Sequence, residues 1–183
     1  NQEINDLIEA LGCGTNSNYQ NDKLRYEKVI IMTDADVDGA HIASLLMTFF
    51  LKQMPELIEN RHLFIGQPPL YRLSQGGDTA YAMDEHHKDL LIKNVFKERG
   101  KIEVSRFKGL GEMPPSQLKE TAMNPKTRTL LRIILPQKNT NNVEPGIKDT
   151  LELVDQLMGR KPEYRLAFIQ KHAAEVEDEK IDL

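Results

Sequence analysis

The chain has 183 residues, 39% hydrophobic and 28% charged, a composition that predicts a globular protein of one domain plus appendages. Its single cysteine, Cys13, excludes an internal disulfide and favours a reducing compartment such as the cytoplasm. No apolar run approaches the length of a membrane span, and the net charge of −4 taken alone argues against a nucleic-acid binder.

The first third of the sequence predicts a helix, a buried strand and a second helix. Residues 1–11 carry apolar side chains at helical spacing, and because the chain starts without Met we expect a piece of a longer protein. Residues 29–32 are all apolar and predict a buried strand. Residues 41–54 predict a well-buried helix that ends or kinks at Pro55. Its predicted inner face consists of Ile42, Leu45, Leu46, Phe49 and Phe50.

The middle of the chain predicts short strands around one helix. The expected elements are a strand at 62–66, a hairpin of strands 70–73 and 79–83, a helix from the capping Asp84 to about residue 99, and a strand at 101–105. Because strands alternate with helices along the chain, we expect an α/β fold.

The last third predicts a loop-rich stretch and then a helical tail. The expected elements are a short helix from Pro114 to about residue 123, a strand at 127–135, and helices at 147–158, with Gly159 as its stop, and at 163–174. Residues 136–146 are rich in Asn, Pro and Gln and predict a linker. We therefore expect a domain at 1–135 with an insertion at about 70–105, the linker, and a tail at 147–183.

The most informative segment is the acidic run that follows the first buried strand. Asp34, Asp36 and Asp38 stand at alternate positions, and Gly39 closes the run. Carboxylate oxygens are the ligands that Mg²⁺ prefers, and chemistry in open α/β sheets gathers where a strand ends and a loop leads into a helix. The pattern therefore predicts a divalent-cation site held by these three carboxylates.

Three other interpretations of the acidic run compete with a cation site. A solvated turn is one, since Asp and Gly are common turn residues. A calcium loop of the EF-hand type is excluded, because its twelfth position is Leu45 rather than Glu and the preceding segment is a strand. A phosphotransferase of the haloacid dehalogenase type, in which Asp-x-Asp after a strand supplies nucleophile and acid, stays open on this pattern.

A basic segment lies further along the chain. Residues 97–132 contain nine Lys or Arg against four Glu, a net charge of +5, which leaves −9 for the rest. A basic segment beside an acidic metal site is what a metal-dependent phosphodiester site needs. An ordinary salt-bridged surface explains the same charges.

The glycine loop inside that segment has its own pattern. Arg106 and Lys108 precede Gly109 and Gly111, which allow close backbone approach and positive φ and can build a cradle of N–H groups for phosphate. Glu112 is placed to serve a metal or to pair with Lys108. A plain turn explains this loop equally well.

Together these segments resemble the TOPRIM region of the B subunits of bacterial type IIA topoisomerases. The matching segments are 11–14, 31–42, 67–71, 106–113 and 118–125, with 157–159, 165–169 and 181–183 resembling the subunit's C-terminus. The resemblance covers nearly the whole chain. No long insertion interrupts it, which favours the topoisomerase IV branch over the DNA gyrase branch.

The resemblance implies a Rossmann-like parallel sheet with flanking helices and a site for Mg²⁺, two ions in the full enzyme. Asp34 and Asp36 would be the catalytic metal ligands, with Asp38 bound directly or through water. The DNA contacts implied by position in the pattern are His41, Arg106, Lys108 and Arg165. A tyrosine of a partner A subunit would cleave and rejoin double-stranded DNA within an A2B2 heterotetramer in the bacterial cytoplasm, and ATP would bind only in a separate N-terminal domain.

The sequence departs from the family pattern at one point. The family's TOPRIM domain begins with Glu-Gly-Asp-Ser-Ala-Gly-Gly, whose Glu is a third metal ligand. That motif is absent from these residues, and we expect it in a preceding segment. We therefore expect weak Mg²⁺ binding and no relaxation of supercoils by the isolated chain. A non-catalytic docking fragment is the remaining alternative function, beside the phosphatase.

Overall fold

The computed structural model describes residues 1–96, 100–136 and 147–173, and it divides the chain into two compact units, 1–133 and 134–183. The helices are α1 (Gln2–Leu11), α2 (Val37–Gln53), α3 (Pro55–Glu59), α4 (Glu85–Asn94), α5 (Pro115–Leu118), α6 (Ile147–Met158) and α7 (Pro162–His172). The strands are β1 (Val29–Ile31), β2 (Leu63–Gly66), β3 (Tyr71–Gln75), β4 (Asp78–Ala82), β5 (Glu103–Arg106) and β6 (Leu130–Arg132). Within the described ranges, no helix has both the length and the apolarity to cross a membrane.

The first helix and the turn after it form as predicted. Asn1 caps α1 by accepting a hydrogen bond from Glu3 N at 3.0 Å, and Gly12 ends it at φ 76°, where glycine is favoured. Cys13 follows with 1% exposure, and burial raises the pKa of its thiol. A buried thiol with a raised pKa is a packing residue and not a reactive nucleophile.

A three-stranded sheet in the order β1-β2-β6 forms the base of the first unit. β1 and β2 run parallel, with Val29 opposite Leu63, and β6 runs antiparallel to β2. This mixed α/β arrangement confirms the predicted fold class. The strand predicted at 127–135 is shorter, because β2 offers only four residues for it to pair with.

The inner face of α2 differs from the predicted one. Ile42 and Leu45 are 51% and 49% exposed, so the prediction that they face the core is wrong. The buried residues of α2 are instead Gly39, Ala43 and Phe50. Spacing alone could not identify this side, since α2 is apolar around much of its circumference and the small residues mark where another backbone approaches.

The middle segment forms a second, antiparallel sheet in the order β4-β3-β5. The predicted hairpin is confirmed, and its turn contains Gly76 at φ 62°.

The predicted cap of α4 is also confirmed, since the Asp84 carboxylate accepts a hydrogen bond from His87 N at 2.7 Å. α4 ends earlier than predicted, because the chain turns to bury Phe96, and residues 97–99 lie outside the described part. The core of this sheet consists of Tyr71, Leu73, Ala82 and Phe96.

The second unit contains the two predicted tail helices. Gly159 follows α6 directly and closes it through a backbone hydrogen bond to Asp155 O at 3.0 Å. Arg165 of α7 donates from Nη1 to the carbonyl oxygens of Leu157 at 3.3 Å and Gly159 at 2.6 Å. The guanidinium thus satisfies carbonyls at the carboxyl end of α6. Residues 137–146, most of the predicted linker, lie outside the described ranges.

Candidate metal centre and basic loop

The acidic run connects the end of β1 to the start of α2. Asp36 is the N-cap of α2, with φ −126° and ψ 179°, and its Oδ1 accepts a hydrogen bond from Gly39 N at 2.6 Å. This cap starts the helix at Val37, four residues before the predicted start. Asp38 therefore lies in the first helical turn, where the helix dipole favours negative charge.

Gly39 is required by a close approach of two backbone segments. A Cβ atom at this position would lie 2.0 Å from Asp34 O and 2.8 Å from Asp34 C. Both are backbone atoms, which cannot rotate out of the way as a side chain can. The glycine that closes the acidic run thus lets α2 begin directly against the strand-to-helix loop.

The basic glycine loop closes onto the first of the three carboxylates. Leu110 N donates a hydrogen bond to Asp34 Oδ1 at 2.7 Å. Gly109 lies beside the same group, since a Cβ built there would be 2.8 Å from Asp34 Cγ and 2.9 Å from each carboxylate oxygen. Two segments that are far apart in sequence therefore meet at one carboxylate.

The glycines of this loop do not adopt the predicted positive φ. Gly109 is extended, with φ −158° and ψ 170°, and positive φ among the described glycines occurs at Gly12, Gly14, Gly76 and Gly100. The reason for glycine at 109 is space, not backbone conformation. The loop's amides also bond differently from a phosphate cradle: Leu110 N bonds to Asp34, and Lys108 N bonds to Glu112 Oε2 at 2.9 Å.

Glu112 does not pair with the ammonium of Lys108, which is one of the two roles that its position suggests, and its metal role stays a prediction. Its carboxylate accepts from the backbone N–H of Lys108, and in the part of the chain that the structure describes no ion pair joins the two side chains. The Glu112 N–H in turn bonds to Gly109 O at 3.2 Å. These two bonds close the loop on itself and leave the Lys108 side chain exposed.

The three carboxylates of the acidic run line one concave surface, which encloses a volume of about 480 Å³. Met32, Thr33, Gly39, Ile42 and Leu110 complete its lining. Among the described residues, no three His, Cys, Asp or Glu side chains converge closely enough to form a full ligand set. The donors nevertheless suit Mg²⁺, because this ion is commonly bound through one or two carboxylates and keeps several water ligands. Asp34 and Asp36 each commit one oxygen to a backbone N–H, which leaves the other for a cation.

The residues predicted to contact DNA are placed in different ways. His41, Arg106 and Lys108 are exposed and belong to the first unit. Arg106 lies with Cζ 5.9 Å from the centre of the Tyr71 ring. Arg165 lies in the second unit, where its Nη1 donates to the carbonyl oxygens of Leu157 and Gly159. The DNA role of all four stays a prediction.

Sequence reasoning missed two features of this site. Tyr71, in the Gln-Pro-Pro-Leu-Tyr segment, is predicted to have only a structural role. Its ring centre lies 5.2 Å from Lys88 Nζ and 5.9 Å from Arg106 Cζ, and its hydroxyl donates to Glu85 Oε2 at 2.5 Å. The contact between Leu110 and Asp34 was missed as well. The only sequence signal for this contact was that both motifs occur in the same chain. The residues around either motif do not indicate that it meets the other.

Two family models match the chain. A model described as Toprim domain matches residues 1–68, and one described as DNA gyrase B subunit, carboxyl terminus, matches residues 99–170. The B subunit of DNA topoisomerase 4 from Bartonella bacilliformis is 59% identical over 93% of this chain, and that from Caulobacter vibrioides is 57% identical over 94%. The B subunit of DNA gyrase from Spiroplasma citri is 43% identical over 97%.

The chain belongs to the B-subunit family of bacterial type IIA topoisomerases. It spans 24% of the length of the Bartonella and Caulobacter proteins and 26% of the Spiroplasma protein. The identities agree with the predicted preference for the topoisomerase IV branch. The acidic run and the glycine loop both belong to regions that these family models match, and this removes the ground for the phosphatase interpretation.

Proposed function

We propose that this chain supplies the metal-binding half of a DNA cleavage and religation site, within a longer B subunit of a type II topoisomerase. The observation that carries the proposal is the placement of Asp34, Asp36 and Asp38 on one concave surface, with the glycine loop closing onto Asp34. The Toprim match at residues 1–68 and the topoisomerase 4 relatives support it.

The three acidic residues are the metal ligands in this proposal. Asp34 and Asp36 hold Mg²⁺ through the oxygens that are not engaged by Leu110 N and Gly39 N. Asp38 contributes directly or through water. Bound there, Mg²⁺ supplies Lewis-acid stabilisation of the charge that develops on a phosphodiester during its cleavage. A second ion, also part of the proposal, would anchor a neighbouring phosphate.

The partners in this proposal come from the resemblance to type IIA topoisomerase B subunits, which the relatives support. In that family's pattern a tyrosine of an A subunit attacks the phosphodiester of double-stranded DNA, and we propose the same partner for this chain. Exposed Lys108 and Arg106 provide the positive charge that holds a polyanion against an acidic surface. An A2B2 assembly and ATP-driven strand passage, with ATP bound outside this chain, complete the proposed activity.

Cation binding can be tested on the chain itself with variants that keep the local hydrogen bonds. Asp34→Asn plus Asp36→Asn retains an oxygen acceptor for Leu110 N and Gly39 N but removes both negative charges. We expect Mg²⁺ at roughly millimolar concentration to raise the melting temperature of the wild type and not of this double variant. Asp22→Asn plus Asp78→Asn, two exposed sites that do not line the concave surface, is the matched control for the loss of two charges.

Activity is tested in a complete B subunit paired with its A subunit. Lewis-acid stabilisation contributes several kcal/mol, so Asp36→Asn should lower DNA cleavage by roughly a hundredfold or more. ATP hydrolysis should remain, because this substitution leaves the ATP site untouched. Wild-type levels of cleavage by Asp36→Asn at saturating Mg²⁺ would contradict the proposal and favour the docking-fragment alternative.

A further inference from the structure

The contact between the glycine loop and the acidic run is closer than an ordinary packing contact. Leu110 N lies 2.7 Å from Asp34 Oδ1, within the range of a hydrogen bond to a charged acceptor. The Gly109 Cα stands so near the carboxylate that a Cβ would meet three of its atoms at 2.8 to 2.9 Å. The loop therefore restricts rotation of the Asp34 carboxyl group.

We propose that Gly109 and the Leu110 N–H are positioning residues of the cation site, which hold Asp34 with its second oxygen turned towards the metal. This inference rests on the proposed function of Asp34 as a ligand. A carboxylate that coordinates a metal is commonly fixed by hydrogen bonds from outside the ligand set, and removing such a bond typically costs 10- to 100-fold in metal affinity.

The two glycines of the loop differ in a way that makes this inference testable. Gly109 has an extended backbone that any residue can adopt, so its lack of a side chain serves only the approach to Asp34. Gly111 has no heavy atom within 4 Å of the position of an added Cβ. A methyl group is therefore obstructed at 109 and accommodated at 111, although both glycines belong to the same short loop.

The same contact fixes the loop's basic residue relative to the metal ligand. Glu112 Oε2 accepts from Lys108 N, and Glu112 N donates to Gly109 O, so the loop is a closed hydrogen-bonded turn. The bond from Leu110 attaches this turn to Asp34. The ligand that would bind a cation and the ammonium that would face a phosphate consequently belong to one connected unit.

The test measures Mn²⁺ affinity of the chain from the free-ion electron paramagnetic resonance signal. We expect Gly109→Ala to weaken Mn²⁺ binding about 10- to 100-fold and Gly111→Ala to leave it unchanged. Leu110→Pro removes the donor and places the proline Cδ where the donated hydrogen pointed at Asp34 Oδ1, so it also displaces the carboxylate, while the extended backbone of Gly109 is what a residue before proline requires. It should weaken binding similarly, with Leu110→Ala, which keeps the N–H, as its control.

A second readout needs no metal. Hydrogen exchange of the Leu110 amide, followed by NMR, should be slow in the wild type and in Gly111→Ala and at least tenfold faster in Gly109→Ala. Mn²⁺ affinity within twofold of wild type for both Gly109→Ala and Leu110→Pro would overturn the inference alone. A wild-type chain that binds no Mn²⁺ would overturn the proposed function, and the inference with it. Far-UV circular dichroism verifies that each variant is folded.

Discussion

Replacing Gly39 by alanine is the most direct test of how the acidic run is built. The added methyl carbon would lie 2.0 Å from Asp34 O, against an ordinary contact of at least about 3.4 Å, so the two backbone segments would have to separate by more than 1 Å. Because Asp36 caps α2 through Gly39 N, that separation would also disturb the cap.

The expected change in the free energy of unfolding is the sum of three contributions of opposite sign. Forcing a methyl group into a well-packed site costs roughly 1–3 kcal/mol, and a clash with immobile backbone atoms belongs at the upper end. Alanine has a higher helix propensity than glycine, which returns about 1 kcal/mol. A weakened cap adds about 1 kcal/mol of loss. We therefore expect Gly39→Ala to lower the free energy of unfolding by roughly 2–3 kcal/mol.

Urea unfolding followed by far-UV circular dichroism measures this difference. Gly77→Ala is the matched control, since a Cβ at Gly77 meets nothing within 4 Å and its φ is not positive. The control should change the unfolding free energy by no more than about 0.5 kcal/mol. If the two variants unfold at the same urea concentration, the backbone contact at Gly39 does not stabilise the fold as its geometry indicates.

Three further predictions concern single side chains. In the reconstituted A–B complex, Lys108→Ala should reduce the slope of log DNA affinity against log salt concentration by roughly 0.9 and weaken binding equally for all DNA sequences. An unchanged slope would refute the phosphate contact. Burial, with Cys13 and Glu56 nearby, raises the pKa of Tyr19 to about 12. The native state therefore keeps this proton longer than the unfolded chain, and stability should fall between pH 10 and 12, less steeply in Tyr19→Phe. Arg165→Ala should lower the unfolding free energy of the tail by roughly 1.5–3 kcal/mol, seen as lost helicity on thermal melting, because it removes charged hydrogen bonds to the carbonyls of Leu157 and Gly159.

Features decided within a few residues could be predicted from the sequence. Asp84 caps α4, the hairpin turn contains Gly76, and Gly12 ends α1, each because a local hydrogen bond or a positive φ selects the residue type. The acidic run is predictable for a similar reason, since three alternating carboxylates after an apolar strand form a pattern confined to one segment.

Features decided by distant contacts could not be predicted. The buried side of α2 depends on the approach of the Asp34 backbone to Gly39, and the antiparallel direction of β6 depends on how the chain returns to β2. The sequence pattern suggests close backbone approach or positive φ as the reason for glycine at 109, and only the structure shows that it is a close approach and that the group approached is the carboxylate of Asp34. Each of these is a property of two segments together.

The bond between Leu110 and Asp34 has a kinetic consequence for folding. It joins residues 76 positions apart, and the second sheet and its helix lie between them. Contacts of such high sequence separation carry a large loop-closure cost, so they form after the local turns and hairpins. We expect the cation site to mature last, and in stopped-flow refolding a Mn²⁺-dependent signal should lag behind the recovery of helicity. Simultaneous recovery of the two signals would show that the site forms with the helices.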